Sequence, residues 1–537
     1  MSKKMPDGLL GLSFIGGAPV KKPGDRKFEK MSPVTGACLG TVTGATIDQV
    51  ADAANYAFEA FQHSAVLQSA DPLFRAQMLE AVAAELEASM EEIRPVYYLE
   101  SGLPIDRSDP NVACRFEVEF GRTVNQLKFH ASDLRNGTWC IPVISKSAAF
   151  DIRQTAQGIG PVAIWGAINF PLAFSTAGGD FADAWRSGCP VVFKAHSEHP
   201  FTSELVAQCI VKALAKVNAH PGWFSMLHGD REIGLMLMEN HKISAGALTG
   251  SVAAAKALKA VADARGVPFF AECGSWNAVF VFPDLLESSA ESIAKQYVAS
   301  VTMGAGQFCT CPNGIVVPRG PGLDEFLTAV KNDISARPAS TMLSARTCRD
   351  FNENVARLLR VDGMSVLAGG DPIDHATQSK PVILTISGID FLHSPERCQH
   401  EAFGHCSVVV IADGVDQMLA IAEQLEGSLT ATRYGTPQEL STASAMQLRR
   451  ILESKAGRII ANAMPTGVAV CDAMVHGGPS PACTIDSTSV GLSTRFQRRI
   501  CFQSEADSTL PVELQNGNPL GVLRRVNGVF TRDPVAV

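Results

Sequence analysis

Helical and extended patterns of apolar positions alternate along the first half of this chain. From Asp71, a natural cap, and Pro72, a first-turn proline, the apolar Leu79, Val82, Ala83, Leu86, Met90 and Ile93 recur at helical spacing. That spacing predicts an amphipathic helix ended by Pro95. Trp139 to Ile152 holds the short extended runs CIPVI and AAFDI around a polar SKS turn and predicts a β-hairpin. Between Pro161 and Phe282 the pattern becomes regular. Extended PVAIW, PVVF ending at Lys194, WFSML, ISAGAL and PFFAE alternate with two helices. One starts at Thr202 with Val206, Cys209, Ile210, Ala213 and Leu214 on one face, and the other is alanine-rich, from Ser251 to about Ala264. Strands alternating with helices imply right-handed crossovers and a mostly parallel sheet, which puts ligands at the carboxyl ends of its strands.

A second α/β unit follows Glu272, with FVF, Ile315 to Pro318, MSVLAG, SVVVIA and a helix around Asp416 to Leu425. Ser480 to Ser489 reads as loop, RRICFQ as an extended segment after Arg495, and Ser504 to Val537 as a polar, proline-containing tail. A length of 537 residues accommodates three or four units of ~150 residues each. Hydrophobic residues at 46% against 19% charged residues supply a large core and exclude a disordered chain. Lys and Arg total 46 against 54 Asp and Glu, for a net charge of −8 with no basic block. Small molecules are therefore expected partners, and nucleic acid is not.

Fourteen Cys without a CxxC pair are read as free thiols of a reducing, cytoplasmic compartment. Glycines interrupt the apolar N-terminal stretch, so no signal peptide is read there. The uncharged run from Gln154 to Gly179 is punctuated by Gly158, Gly160, Pro161, Gly166 and Pro171, and no membrane association is expected.

The dinucleotide fingerprint GxGxxG is absent. Leu248-Thr249-Gly250-Ser251 ends a strand and opens a helix, which makes either a phosphate site on free backbone N–H groups or a simple Ser251 cap. Cys309 lies in the glycine-rich run Gly304 to Pro312, where few side chains screen it. That suits a thiolate nucleophile, although a buried cysteine acting as a small hydrophobe is the commoner case. His393 to Cys406 concentrates three His and two Cys, yet His400 and His405 are five residues apart, about 140° round a helix. No metal site is expected. No GxSxG elbow occurs.

Asn169-Phe170-Pro171, Lys194, Thr249-Gly250-Ser251, Glu272-Cys273-Gly274, Gly306-Gln307-Phe308-Cys309 and Glu401-Ala402-Phe403-Gly404 follow one another in the order found in the aldehyde dehydrogenase superfamily, which the chain resembles over most of its length. The stretches from Gly178 to Ala207, Cys471 to Ala482 and Leu510 to Gly521 resemble the 2,5-dioxopentanoate (α-ketoglutarate semialdehyde) dehydrogenases and related NADP-linked fatty aldehyde dehydrogenases. The resemblance implies an α/β fold in several parts. These are a Rossmann-like cofactor domain (1–138 and 156–273), an α/β catalytic domain (274–480), a β oligomerisation element (139–155 and 481–505) and a tail (506–537). A homodimer or homotetramer is expected, with the hairpin meeting the C-terminal extended segment, extending a sheet into a neighbouring subunit and losing its open edge.

By the same resemblance Cys309 attacks the aldehyde, Asn169 donates to the oxyanion and Glu272 is the general base for hydrolysis. Lys194 meets the adenosine ribose, Ser251 with Thr249 and Gly250 the pyrophosphate, Glu401 the nicotinamide ribose, and Phe403 the ring. Ser197 stands where many NAD-preferring relatives carry Glu. This favours NADP over NAD, with Arg231 and His196 as 2′-phosphate partners and the neighbouring Glu198 working against it. Ile168, Ala278, His405 and Ser480 depart from the pattern of the resembled subgroup, and Cys311 is read as lining the pocket rather than forming a disulfide. The expected activity is NADP-linked oxidation of an aldehyde acid such as 2,5-dioxopentanoate. Alternatives are a fatty aldehyde dehydrogenase, or a cofactor-binding structural or regulatory homologue without turnover.

Overall fold

The computed structural model describes residues 5–6, 8–64, 71–107, 114–485, 491 and 493–535. Residues 486–489 of the expected loop after Ser480 lie outside them.

The strands expected between Pro161 and Phe282 assemble as anticipated. A seven-stranded sheet has the order Phe269–Cys273, Ala245–Gly250, Val162–Trp165, Val191–Lys194, Phe224–Leu227, Phe14–Ile15 and Ala18–Pro19. The first five strands are parallel, and the two N-terminal ones add an antiparallel edge. Successive side chains point to opposite faces of a strand. Accordingly Val162, Ile164, Val191 and Phe193 enter one core, while Ala163, Trp165, Val192 and Leu248 enter another. Helices on both faces explain why these strands read as unbroken apolar runs. Val162–Trp165 and Ala245–Gly250 are neighbours in the sheet although two strands separate them along the chain, so a crevice opens beyond their carboxyl ends.

The second unit is also a seven-stranded sheet, in the order Ser365–Gly369, Val382–Ser387, Cys406–Ala412, Gly314–Pro318, Ala278–Val281, Ser428–Tyr434 and Ala456–Ala461. Only Ser365–Gly369 is antiparallel to its neighbour. Again the strands alternate between two cores, Phe280 and Val316 on one side and Val279 and Ile315 on the other. The strand Phe269–Cys273 of the first sheet is joined to Ala278–Val281 of the second by residues 274–277 alone. So short a link sets the carboxyl end of the first strand beside the amino end of the second. The carboxyl ends of the first sheet therefore face the amino ends of the second. Ligand chemistry was expected at carboxyl ends only, and the second sheet contributes its amino ends instead.

The helix predicted from Pro72 forms over Pro72–Ala88, with the Asp71 side chain accepting from the Leu73 N–H. Pro95 does not end the run. The break falls at Ser89, and a new helix, Met90–Ser101, contains Pro95 and stops at Gly102 with φ of 68°. The restart places Pro95 just past the first turn, so the carbonyl deprived of a partner is that of Glu91, an exposed residue.

The predicted hairpin consists of Val143–Lys146 and Asp151–Gly158, and Gln497–Gln503 pairs antiparallel with the latter. The hairpin's other side is not open. Arg524–Val526 of the tail pairs parallel with Val143–Lys146, and Val529–Thr531 follows outside it. The edges of this five-stranded sheet are therefore Gln497–Gln503 and Val529–Thr531, and the chain covers the hairpin by itself. Arg153 fastens the tail by donating to the Leu514 carbonyl at 2.7 Å and to Asn516 Oδ1 at 2.8 Å. Thr155 Oγ1 donates to Glu513 at 2.8 Å, and Leu510 and Leu514 bury against Ile144. Among the described residues no helix is long and apolar enough to cross a membrane.

Candidate active site

Cys309 follows a tight turn in which Gly304, Ala305 and Gly306 take φ of 56°, 57° and 68°. Gly306 is compelled twice over. Its φ is left-handed, and a Cβ there would stand 2.4 Å from the Gly404 carbonyl. The turn thus presses the cysteine loop against the Glu401 to Gly404 segment. Glu272 lies near the carboxyl end of Phe269–Cys273, alongside Thr249. Residues 482–484 run beside that strand end, with Cys273 N–H donating to Ala482 at 2.7 Å and Thr484 N–H to Ala271 at 3.0 Å. This pairing draws in the loop that carries His476. Cys309 Sγ is 3.7 Å from His476 Nε2, which is 3.5 Å from Glu272 Oε2. All three residues are buried.

Neither oxygen of Glu272 accepts a hydrogen bond. Burial first, and the Glu272 charge second, hold the Cys309 thiol well above its ordinary range. The thiol is therefore protonated at neutral pH in this arrangement. Burial and Glu272 likewise push Glu401 up to about 8. Perturbed buried groups that face one another mark a site of chemistry. Among the described residues Glu272, Cys309 and His476 are also the one set close enough to share a metal ion. A metal there would occupy the sulfur lone pair that a nucleophile uses.

Asn169 follows the strand Val162–Trp165, and its Nδ2 donates to the Gln307 carbonyl, two residues before Cys309, at 3.0 Å. Its loop is anchored by Glu119, which accepts from the N–H groups of Leu172 and Ala173 at 2.8 and 3.2 Å and from Tyr97 Oη at 2.6 Å. Asn277 fixes the cysteine loop from the other side, donating to the carbonyls of Cys309 at 2.8 Å and Cys311 at 3.0 Å. The departures have structural occupations. Ile168 packs on the first core, and Ala278 opens a strand. His405 is buried with Nε2 2.8 Å from Ser379 Oγ, and burial lowers it to about 4. Cys311 is a free thiol packed with Phe170, Phe174 and Phe308.

A cleft of about 810 Å³ opens beside Lys194, Ser197 and Arg231 and is also lined by Lys30, Glu198 and Arg346. Burial lowers Lys194 to about 8, opposed by the Asp230 charge. Glu198 is engaged by buried Lys30 at 2.8 Å. His196 is absent from the lining. Its Nδ1 accepts the Glu198 N–H at 3.1 Å, and burial pushes it well below its ordinary value, so it is neutral. Ser251 caps the helix Val252–Arg265 by accepting from the Ala254 N–H at 3.3 Å, while Thr249 and Gly250 end the strand before it. That helix borders a second cleft, about 560 Å³, beside Cys273 and Ser480. The Glu401 carboxylate lies over Gly274, where any Cβ would stand 1.9 Å from it, and its Oε1 is buried without a partner. Phe403 packs against the first core. Half-buried Lys194 with exposed Arg231 and Arg346, a helix N-terminus and an orphan carboxylate oxygen suit an anionic, ribose-bearing ligand.

Sequence reasoning gave no role to His476, Asn277, Glu119 or Lys30. His476 lies in the Cys471 to Ala482 stretch, but only folding sets it beside Cys309, 167 positions away. The others are buried polar residues with no local signature.

The aldehyde dehydrogenase family model matches residues 20–479. The α-ketoglutaric semialdehyde dehydrogenase of Acinetobacter baylyi is 39% identical over 512 residues, covering 93% of this chain and 94% of that protein. α-Ketoglutaric semialdehyde dehydrogenase 2 of Azospirillum brasilense is 37% identical, with the same coverage of 93% and 94%. Among solved structures, γ-glutamyl-γ-aminobutyraldehyde dehydrogenase of Burkholderia cenocepacia superposes with a TM-score of 0.78 at 20% identity, covering 92% of this chain and 96% of its own. Indole-3-acetaldehyde dehydrogenase of P. syringae, described in complex with NAD+, gives 0.79 at 20%, covering 93% and 97%.

The raised thiol predicts a pH dependence. Only the thiolate alkylates, and its fraction grows about tenfold per pH unit below the pKa. Iodoacetamide labelling of Cys309 in the cofactor-free protein, followed peptide by peptide, should climb from pH 7 to 9 without levelling. A plateau below pH 8 would show a thiolate already formed.

Proposed function

The chain belongs to the aldehyde dehydrogenase family, and on that premise we propose that it oxidises 2,5-dioxopentanoate to 2-oxoglutarate with NADP as the preferred cofactor. The observation that carries this reading is the buried meeting of Cys309, His476 and Glu272. The names of the two relatives above 35% identity support the substrate.

In this reading His476 Nε2 takes the Cys309 proton and shares it with Glu272 Oε2, 3.5 Å away. The thiolate adds to the aldehyde carbon, and the oxygen of the resulting thiohemiacetal receives hydrogen bonds from Asn169 Nδ2 and the Cys309 backbone N–H. A bound nicotinamide dinucleotide supplies the hydride acceptor. Loss of hydride leaves a thioester on Cys309. Glu272 then removes a proton from water as it attacks that thioester, which frees the carboxylic acid and returns the thiol. Glu272 Oε1, which has no hydrogen-bond partner in the structure, is left for that water.

For the cofactor, Lys194 and Glu401 hold the two riboses, Thr249, Gly250 and Ser251 the pyrophosphate, and Phe403 borders the ring. Preference for NADP rests on Ser197, on Arg231 in the same cleft, and on Lys30 occupying the Glu198 carboxylate. His196, neutral and turned to a backbone N–H, contributes at most through Nε2. The aromatic set Phe170, Phe174 and Phe308 favours a second reading, oxidation of fatty aldehydes with an apolar tail.

The proposed division keeps a cofactor part (1–138 and 156–273), a catalytic part (274–480), an oligomerisation element (139–155 and 481–505) and a tail (506–537). Association in this proposal uses the open edge Gln497–Gln503, whose backbone groups another copy can pair.

Cys309→Ala should abolish NADPH formation, and Glu272→Gln should give one burst of NADPH and then stall. Normal steady-state turnover of either variant removes that residue from its role. Titration should show tighter binding of NADP than NAD, with Arg231→Ala weakening NADP by about tenfold and leaving NAD nearly unchanged; equal losses refute the 2′-phosphate contact. In sedimentation the chain should run at a multiple of 57.1 kDa, and Cys501→Glu, a like charge on both sides of an edge pairing, should lower it. Sedimentation of the unaltered chain as a monomer overturns the assembly.

A further inference from the structure

Two arginines on the helix Arg115–Arg135 meet the aromatic patch beside the cysteine loop. The Arg115 guanidinium lies 4.0 Å over Phe170 and 4.9 Å from Phe308, and that of Arg122 lies 4.6 Å over Phe174 and 5.6 Å from Phe170. Their partners differ. Arg115 is paired with Glu119 at 3.1 Å and donates to the Asn169 carbonyl at 2.8 Å. Arg122 Nε and Nη2 are shut off from solvent and have no hydrogen-bond partner. A guanidinium in such a place is costly unless something meets it. Burial lowers Arg122 to about 10, which still leaves it charged at neutral pH.

Its position relative to Cys309 is defined by the rings. Phe174, under Arg122, also stacks on His476 with centroids 5.7 Å apart and planes at 29°. Thus Arg122 stands one aromatic ring away from the imidazole that touches Cys309 Sγ. Nε and Nη2 form one side-on edge of the guanidinium, the edge that takes both oxygens of a carboxylate. Arg458, whose charge also interacts with Cys309, already donates to the carbonyls of Gly467 and Pro465.

We propose that Arg122 anchors a carboxylate at the far end of the aldehyde, so that the pocket selects short aldehyde acids over uncharged aldehydes of equal length. The inference rests on the aldehyde oxidation proposed above and deepens it. In 2,5-dioxopentanoate four carbon–carbon bonds separate the aldehyde carbon from the carboxylate carbon. The phenylalanines flank the methylenes between them, and the carboxylate supplies the two acceptors that Nε and Nη2 lack.

The test compares 2,5-dioxopentanoate with pentanal in the unaltered enzyme and in Arg122→Met and Arg122→Lys, with NADP titration to verify that each variant is folded. Arg122→Met should lose about 30-fold or more in kcat/KM for 2,5-dioxopentanoate, mainly through KM, while pentanal changes less than about threefold. Arg122→Lys should recover part of the loss. Stabilisation of the unaltered protein by 2-oxoglutarate, read as a Tm shift, should disappear in Arg122→Met. Equal losses for both aldehydes, or an unchanged KM for the acid, would overturn the anchor. If the unaltered enzyme prefers longer uncharged aldehydes, the substrate reading fails on its own. The anchor then stands or falls on whether Arg122→Met raises KM selectively for aldehyde acids.

Discussion

The carboxamide of Asn277 is saturated by groups from two stretches of chain far from it in sequence. Its nitrogen donates to the carbonyls of Cys309 and Cys311, and its oxygen accepts from the backbone and hydroxyl of Thr430 at 3.1 and 2.9 Å. No other uncharged side chain but Gln offers two donors and two acceptors in one plane, and Gln is longer by a methylene. Asn277 sits in the short link between the sheets, so the same residue that carries the chain across the cleft also sets the height of the cysteine loop above it. With the loop held, Sγ comes within reach of His476 and Glu272, and the Gln307 carbonyl within reach of Asn169. Ser275, two residues earlier, receives the Leu429 N–H at 3.1 Å and extends this pinning to the start of the strand Ser428–Tyr434.

Around this scaffold the site collects buried polar groups that the rest of the core avoids. Glu272, Glu401 Oε1 and Arg122 all lack hydrogen-bond partners where solvent does not reach. By contrast Glu119, equally buried, is fully engaged by Tyr97, Arg115, Leu172 and Ala173. The distinction separates groups that hold the structure from groups to which ligand roles are proposed above, since an unsatisfied buried charge lowers stability. Close approaches follow the same division. Gly274 leaves room for the Glu401 carboxylate, and Gly306 lets two loops touch, so both glycines are spaces that the site occupies.

The tail belongs to the body of the protein. By pairing with Val143–Lys146 and burying Leu510 and Leu514, it turns a hairpin into the middle of a five-stranded sheet. On this side the unpaired edge thereby moves from the hairpin to Val529–Thr531, while the opposite edge, Gln497–Gln503, is the position from which association is proposed.

The sequence by itself determined the elements. The apolar runs from Pro161 to Phe282 became parallel strands, Asp71 and Ser251 became caps, and the hairpin formed around its polar turn, because period, caps and turns are set by residues within a few positions of one another. Family resemblance marked Cys309, Glu272 and Asn169. Only the tertiary structure decided what surrounds them. His476 reaches Cys309 across 167 positions, Asn277 grips a loop 32 positions away, and the pairing of Lys30 with Glu198 spans 168. Pro95 shows the same limit in small, since whether a proline ends a helix depends on where the preceding break falls and on whether the released carbonyl meets water. Which polar groups are left unmatched is a property of packing, and packing is a sum over distant contacts that no local pattern contains.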